Sequence, residues 1–276
     1  MDPCPLNDLE EILLATDGSE FSEGAIKEAI SLAGQCHSRL TAVMAVVANE
    51  EFTAEAPQLV KKAELEARRH LESVQDRAAA AGVDCHIVVH EGDSAHTMII
   101  DEARKGSDLI VMGRRGRTGI MKVAMGSVTA RVIGHAPCDV LVVPRECSLE
   151  FRNILVATDG SAYGDAALRE AITMAGKCGG SLTVLSVAAS EARRPAASRI
   201  VDQACRRIGA SGIDSRGLTA SGRAYVRIVE TAIGENADLI VLGCHGRGGL
   251  AKLLMGSVTE RVIGNAPCAV LVACAP

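Results

Sequence analysis

The stretch EILLATDGS at residues 11–19 returns as NILVATDGS at residues 153–161, and this return decides the fold. In each copy a short apolar run leads straight into Thr-Asp-Gly-Ser, which reads as a buried strand closed by a tight turn. Further out, GSVTARVIGHAPC at 126–138 returns as GSVTERVIGNAPC at 256–268, differing only at Ala130/Glu260 and His135/Asn265. The first pair is 142 residues apart (Asp17 to Asp159) and the second 130 (Gly126 to Gly256), so the second copy has lost 12 residues in between. Thr41/Thr183 keep the longer spacing and Gly82/Gly212 the shorter, which places the loss after the second strand. The chain is therefore expected to hold two copies of one domain, at 1–146 and 147–276. The short join from Pro144 to Phe151 predicts lobes set close together.

Within the first copy, strands are expected at Ile12 to Ala15, Leu40 to Val47, His86 to Val89, Leu109 to Met112 and Val140 to Val143. Helical spacing covers Ser22 to Ala33, about Pro57 to Ala81, Ala95 to Ala103 and Val128 to Ile133. Strict alternation of strand and helix implies parallel βαβ units, an α/β fold with a doubly wound parallel sheet in each copy. Composition agrees: 48% of the 276 residues are hydrophobic but only 2% aromatic, so Ala, Val, Ile and Leu must build the core, as in parallel strands buried under helices.

The same composition excludes several classes. No apolar run approaches the roughly 18 residues needed to span a bilayer. The amino terminus MDPCPLNDLEE is acidic and lacks the apolar stretch of a secretory signal, so a cytoplasmic protein with no membrane association is expected. A net charge of −5 argues against a nucleic-acid partner held through its phosphates. The ten cysteines are scattered without a CxxC, and most are expected to be reduced core residues.

Ligands of open α/β sheets bind beyond the carboxyl ends of the strands. Two features fall there: Asp17 in the TDGS turn, and the loop GRRGRTGIMKVAMGS after the fourth strand. That loop spaces Gly113, Gly116 and Gly126-Ser127 as GxxGx9GS, repeated at Gly243, Gly246 and Gly256-Ser257. Glycine lets the backbone approach an anion, and the last pair opens a helix whose N–H groups and dipole favour phosphate. The plainer alternative is that the glycines make a turn and the serines cap a helix; SVTE at 257–260 has the form of a capping box. The loop lacks the lysine of a Walker motif. Arg117, Lys122, Arg247 and Lys252 can reach phosphates, or serve as solvated surface charges.

With these residues in view, the TDGS start, the DLIVMGRRGRTG block, the GSVT helix and the HAPCDVLVV end resemble the universal stress protein (UspA-type) family, in its ATP-binding subgroup. The resemblance covers nearly the whole chain twice. It implies five-stranded sheets of order 3-2-1-4-5, with ATP as ligand, carrying Mg2+ or Mn2+ on its phosphates. Carried over position by position, it places the nucleotide beside Asp17, the Val46 and Val47 region, Gly113, Gly116, Gly126 and Ser127. In the second copy the matches are Asp159, Val187, Gly243, Gly246, Gly256 and Ser257. Family members commonly dimerise through strand five, which implies an internal pseudo-dimer of the two copies, and a homodimer as a further possibility. Asp139 and Ala269 stand where the family often has Pro.

The function this implies is an ATP-binding stress or signalling module. The alternative is a weak ATPase or phosphotransferase, for which Asp17 is the only recurrent carboxylate at a strand end. A third reading is metal or thiol sensing through Cys85, His86 and His90. Because the 12-residue loss lies beside the expected adenine wall, the two sites are expected to differ in affinity or preference.

Overall fold

Residues 3–7, 9–116, 125–246 and 255–274 are described by a computed structural model. The first repeat folds as β1 (Glu11–Ala15), α1 (Glu23–Cys36), β2 (Arg39–Val47), α2 (Glu50–Glu55), α3 (Pro57–Ala80), β3 (Cys85–Gly92), α4 (Ala95–Ala103), β4 (Leu109–Gly113), α5 (Ser127–His135) and β5 (Asp139–Val143). The second follows as β6 (Asn153–Ala157), α6 (Ala162–Cys178), β7 (Ser181–Ala188), α7 (Arg194–Gly209), β8 (Ser215–Ser221), α8 (Ala224–Gly234), β9 (Leu239–Gly243), α9 (Ser257–Asn265) and β10 (Ala269–Ala273). The 12-residue difference is now visible: where the first repeat has α2, the second has a single 3-10 turn at Glu191–Arg193, and α3 has 24 residues where α7 has 16.

Within each repeat the strands are parallel in the order 3-2-1-4-5. The two sheets continue into one of ten strands, β3-β2-β1-β4-β5-β10-β9-β6-β7-β8. Among the described residues the junction is the one antiparallel pairing, β5 against β10, with Val140 opposite Val272, Leu141 opposite Leu271 and Val142 opposite Val270. Asp139 accepts the Cys274 N–H at 2.9 Å across it. Arg114 reaches over from the first repeat to donate to the Ala266 carbonyl at 2.8 Å, at the end of α9.

Alternate strand residues face opposite sides of the sheet, and this alternation builds two cores. Ile12, Leu14, Leu109, Leu141 and Leu271 pack beneath α1, α3, α6 and α7, whereas Leu13, Ile110, Val140 and Val270 pack beneath α4, α5, α8 and α9. Each core runs through both repeats without a break at the junction.

Eight cysteines are free thiols, of which Cys85, Cys244 and Cys268 are buried, and the expectation needs one correction. Cys4 and Cys36 form a disulfide, with Cα atoms 4.5 Å apart, tying the amino-terminal segment to the end of α1. The scattered spacing of the cysteines carries no sign of it. The same segment reaches the second repeat, where Lys177 donates to the Leu6 carbonyl at 2.6 Å. Among the described residues no helix is long and apolar enough to cross a membrane.

Candidate functional site

The TDGS turns have the same internal construction in both repeats. The Thr16 hydroxyl accepts the Gly18 N–H at 3.2 Å, and that of Thr158 accepts the Gly160 N–H at 3.1 Å. Gly18 and Gly160 sit at φ +74° and +72°, which favour glycine. Asp17 Oδ1 accepts the Ser19 N–H at 3.0 Å, and Asp159 Oδ1 accepts the Ser161 N–H at 3.0 Å. In the first repeat two hydroxyls, of Ser19 and Ser22, also donate to Asp17 Oδ1, each at 2.7 Å. The position of Ser22 is taken by Gly164 in the second repeat, so this second clamp is absent there.

The glycine loop closes onto this turn. Gly126 N–H bonds to the Arg114 carbonyl and Gly256 N–H to the Cys244 carbonyl, both at 2.9 Å, pinching the loop at its base. Gly116 lies so close to the turn that a Cβ there would stand 2.6 Å from Asp17 Oδ2; at Gly246 the distance to Asp159 Oδ2 would be 2.8 Å. Thr129 and Thr259, both buried, donate to the Gly113 and Gly243 carbonyls at 3.1 and 2.9 Å. They hold the first turns of α5 and α9 against the ends of β4 and β9. Replacing Thr129 by Val keeps the shape and leaves that carbonyl short of a donor, with an expected loss of about 1 kcal/mol in unfolding free energy. Chemical denaturation measures this directly.

The capping-box expectation for Ser257 is not met. The residue preceding α9 is Gly256, which has no side chain to cap with, and Ser257 is the first helical residue; Gly126 and Ser127 stand likewise at α5. The helix thus begins one residue earlier than capping by serine requires, and both serines face a cavity instead.

Those cavities lie beyond the carboxyl ends of the strands, where a ligand was expected. The first, about 240 Å3, is lined by Asp17, Val47, Gly113, Gly116, Gly126 and Ser127. The second, about 440 Å3, is lined by Asp159, Val187, Gly243, Gly246, Gly256 and Ser257. Val46 is a departure: its side chain is 7% exposed and turned into the core shared with α1 and α3, whereas Val47 is 59% exposed at the cavity. Strand alternation separates the two. The residue matching Val187 at the 142-residue spacing is Ala45, which also lines the first cavity and was missed.

Also missed were Arg115 and its counterpart His245, whose side chains stand between the two loop glycines of each cavity. Their place in GRRG and GCHG was the available signal. Arg115 and Met112 line the first cavity where His245 and Leu242 line the second. His245 packs edge-on against Tyr163, with ring centroids 5.3 Å apart. Arg117, Lys122, Arg247 and Lys252 lie outside the described residues.

The Cys85, His86 and His90 reading finds no support. Burial pushes the Cys85 thiol up to about 11, too high for ready ionisation. Among the described residues no three metal-ligating side chains cluster. His90 is instead 2.6 Å from Glu102, which also accepts from Lys105 at 2.7 Å. Burial opposes ionisation of Glu102, but the hydrogen bonds from Lys105 and His90 outweigh it and hold the carboxyl below its ordinary value. A depressed carboxyl contributes stability above the unfolded-state pKa that is lost as pH falls through the folded one. Glu102→Gln is therefore expected to flatten the acid limb of a plot of Tm against pH.

Two tandem doubly wound α/β units, each with a glycine-loop cavity at its strand ends, define the class of this protein. The universal stress protein family model matches it twice, at residues 9–144 and 150–273, and the chain belongs to that family. Single-copy relatives align with half of it. A universal stress protein of Methanocaldococcus jannaschii is 34% identical over 49% of this chain and 82% of its own length. YxiE of Bacillus subtilis is 32% identical over 48% of this chain and 97% of its own. A solved universal stress protein from Archaeoglobus fulgidus DSM 4304 spans both repeats, with TM-score 0.79 and 26% identity over 96% of this chain and 98% of that one.

Proposed function

We propose that this universal stress protein binds ATP in both cavities and acts as a nucleotide-dependent stress or signalling module, its two repeats forming an internal pseudo-dimer about the β5–β10 junction. The observation that carries the reading is the apposition, in each repeat, of a glycine loop, a helix amino terminus and a fixed aspartate around one cavity. Backbone N–H groups and the helix dipole suit the phosphates, and the aspartate suits ribose hydroxyls. The apolar wall at Ala45 and Val47, or Leu185 and Val187, suits the base.

The residues present fit a divalent ion only as a passenger of the nucleotide. Each cavity offers one such carboxylate, Asp17 or Asp159, and Mg2+ and Mn2+ are commonly held by phosphates with one or two carboxylates. The ion would neutralise phosphate charge in place of the missing Walker lysine.

The test is mass spectrometry of nucleotide released from the purified protein, before and after incubation with magnesium. Intact ATP at two per chain supports binding. Prompt conversion to ADP, abolished in Asp17→Ala, supports the enzyme reading instead. Absence of any nucleotide, together with no heat of ATP binding, sinks both. The larger second cavity falls within the usual size range of small-molecule sites, about 300–1,000 Å3, and the first lies below it, so unequal affinities are expected in calorimetry.

A further inference from the structure

We propose that Cys244 and Cys274 form a hydroperoxide-sensitive dithiol site at the root of the second cavity, whose disulfide lowers nucleotide affinity there. The second half of this statement rests on the nucleotide reading above; the first does not.

The two residues are placed by the sheet. β9 and β10 are parallel, with Gly243 beside Ala273 in register, so Cys244 and Cys274 follow as the next neighbouring pair. The Cys244 N–H bonds to the Ala273 carbonyl at 3.0 Å, extending the ladder to this point. Cys244 Sγ lies 4.0 Å from the Cys274 carbonyl, toward which its thiol donates. No backbone rearrangement is needed to bring adjacent-strand residues within the Cα separation of a disulfide, about 4.4–6.8 Å.

Their environment divides the labour. The neighbouring Cys274 side chain, with the N–H groups of Cys244 and His245, outweighs burial and the charge of Asp139 and holds Cys244 below the ordinary thiol value. Cys274 is pushed well up by the same pairing and by burial. Burial takes Cys138 and Cys268 up to about 12, and Cys85 to about 11, leaving those thiols inert by comparison. Cys244 itself is buried, one residue from Gly243 and from His245, which line the second cavity.

In the reaction, the Cys244 thiolate attacks the O–O bond of a hydroperoxide. One oxygen is transferred to sulfur as a sulfenic acid, and the other leaves as alkoxide or hydroxide and takes up a proton. Cys274 then attacks the sulfenic sulfur; the S–S bond forms, and the displaced hydroxide leaves as water with the Cys274 proton. Two thiols and one hydroperoxide thus yield one disulfide, one alcohol or water, and one further water.

The consequence for the cavity follows from the bonds at stake. The Cys244 carbonyl receives the Gly256 N–H that closes the glycine loop. Cys274 Sγ meanwhile lies 3.8 Å from the Ile133 carbonyl in α5 of the first repeat. Drawing the two sulfurs together shifts the loop's anchor and breaks a contact between repeats. At the 130-residue spacing the first repeat has Arg114 and Pro144 at these positions, so its cavity carries no such pair.

The experiment treats the full chain with hydrogen peroxide, blocks free thiols by alkylation and maps disulfides by peptide mass spectrometry, with ATP titrated calorimetrically before and after. A Cys244–Cys274 peptide alongside the existing Cys4–Cys36 one, reversal by dithiothreitol, and at least tenfold weakening at one of two ATP sites support the proposal. Cys244→Ser and Cys274→Ser should each retain both ATP sites after peroxide. Persistence of both thiols while other cysteines oxidise overturns it, and a mapped disulfide with unchanged ATP binding overturns its regulatory half. If the reduced protein takes up no ATP, the nucleotide reading falls, and peptide mapping alone decides the dithiol site.

Discussion

Replacing Gly24 by alanine is expected to lower the unfolding free energy by up to about 3 kcal/mol. The sign is the informative part. Gly24 lies in the first turn of α1, where helix propensity alone would make alanine the better residue by as much as about 1 kcal/mol. A Cβ at this position would run into the Pro144 carbonyl and stand 2.9 Å from that of Arg145. Both are backbone atoms at the point where β5 gives way to the join between repeats, so neither can turn aside as a side-chain tip would. The helix must move off the sheet, or the join must move off the helix. The counterpart position in α6 is Ala166, 3% exposed, so the second repeat accommodates the methyl that the first does not. Urea denaturation with an unchanged m-value and a lower midpoint would bear this out; a raised midpoint would mean that the close approach of α1 to Pro144 is not real.

This position also shows what a repeat comparison leaves hidden. The alternation of elements, the helix at Ala95–Ala103 and the strand ends were legible because each depends on local spacing of apolar residues and on Gly and Asp at the turns. The cavities were legible for a related reason: TDGS and GxxGx9GS are short motifs whose backbone geometry is fixed by their own residues. α2 escaped notice because none of its residues is buried, and a helix with no core face carries no apolar period. The Cys4–Cys36 bond and the reach of Lys177 to Leu6 join distant parts of the chain, and no local pattern encodes them. Val46 was misplaced by assigning a strand end as a region rather than by alternate faces, which would have separated it from Ala45 and Val47. For Ser127 and Ser257 two local rules competed, a place in the site and helix capping, and Gly126 and Gly256 as the residues before α5 and α9 exclude capping by the serines.

Gly116→Ala is expected to weaken ATP binding at the first site by tenfold or more, about 1.4 kcal/mol, with Gly246→Ala having the smaller effect at the second. In each repeat the added methyl would press on the aspartate of the TDGS turn, at 2.6 Å from Asp17 Oδ2 or 2.8 Å from Asp159 Oδ2. A free carboxylate would swing away. Asp17 is held by the Ser19 N–H and by the hydroxyls of Ser19 and Ser22, so moving it sacrifices at least these hydrogen bonds. The loop is then the part that yields, and with it the N–H groups proposed to face the phosphates. Gly164 stands beside Asp159 in the place of Ser22 and has no hydroxyl to donate. The mechanism makes a further demand: Ser22→Ala should soften the effect of Gly116→Ala, because it loosens the group against which the methyl presses. Calorimetric titration of ATP into the two single variants and the double variant forms a thermodynamic cycle, and a coupling energy different from zero is the expected result. Strict additivity would show that the loop and the turn act separately, and the apposition of Gly116 to Asp17 would then play no part in holding the nucleotide.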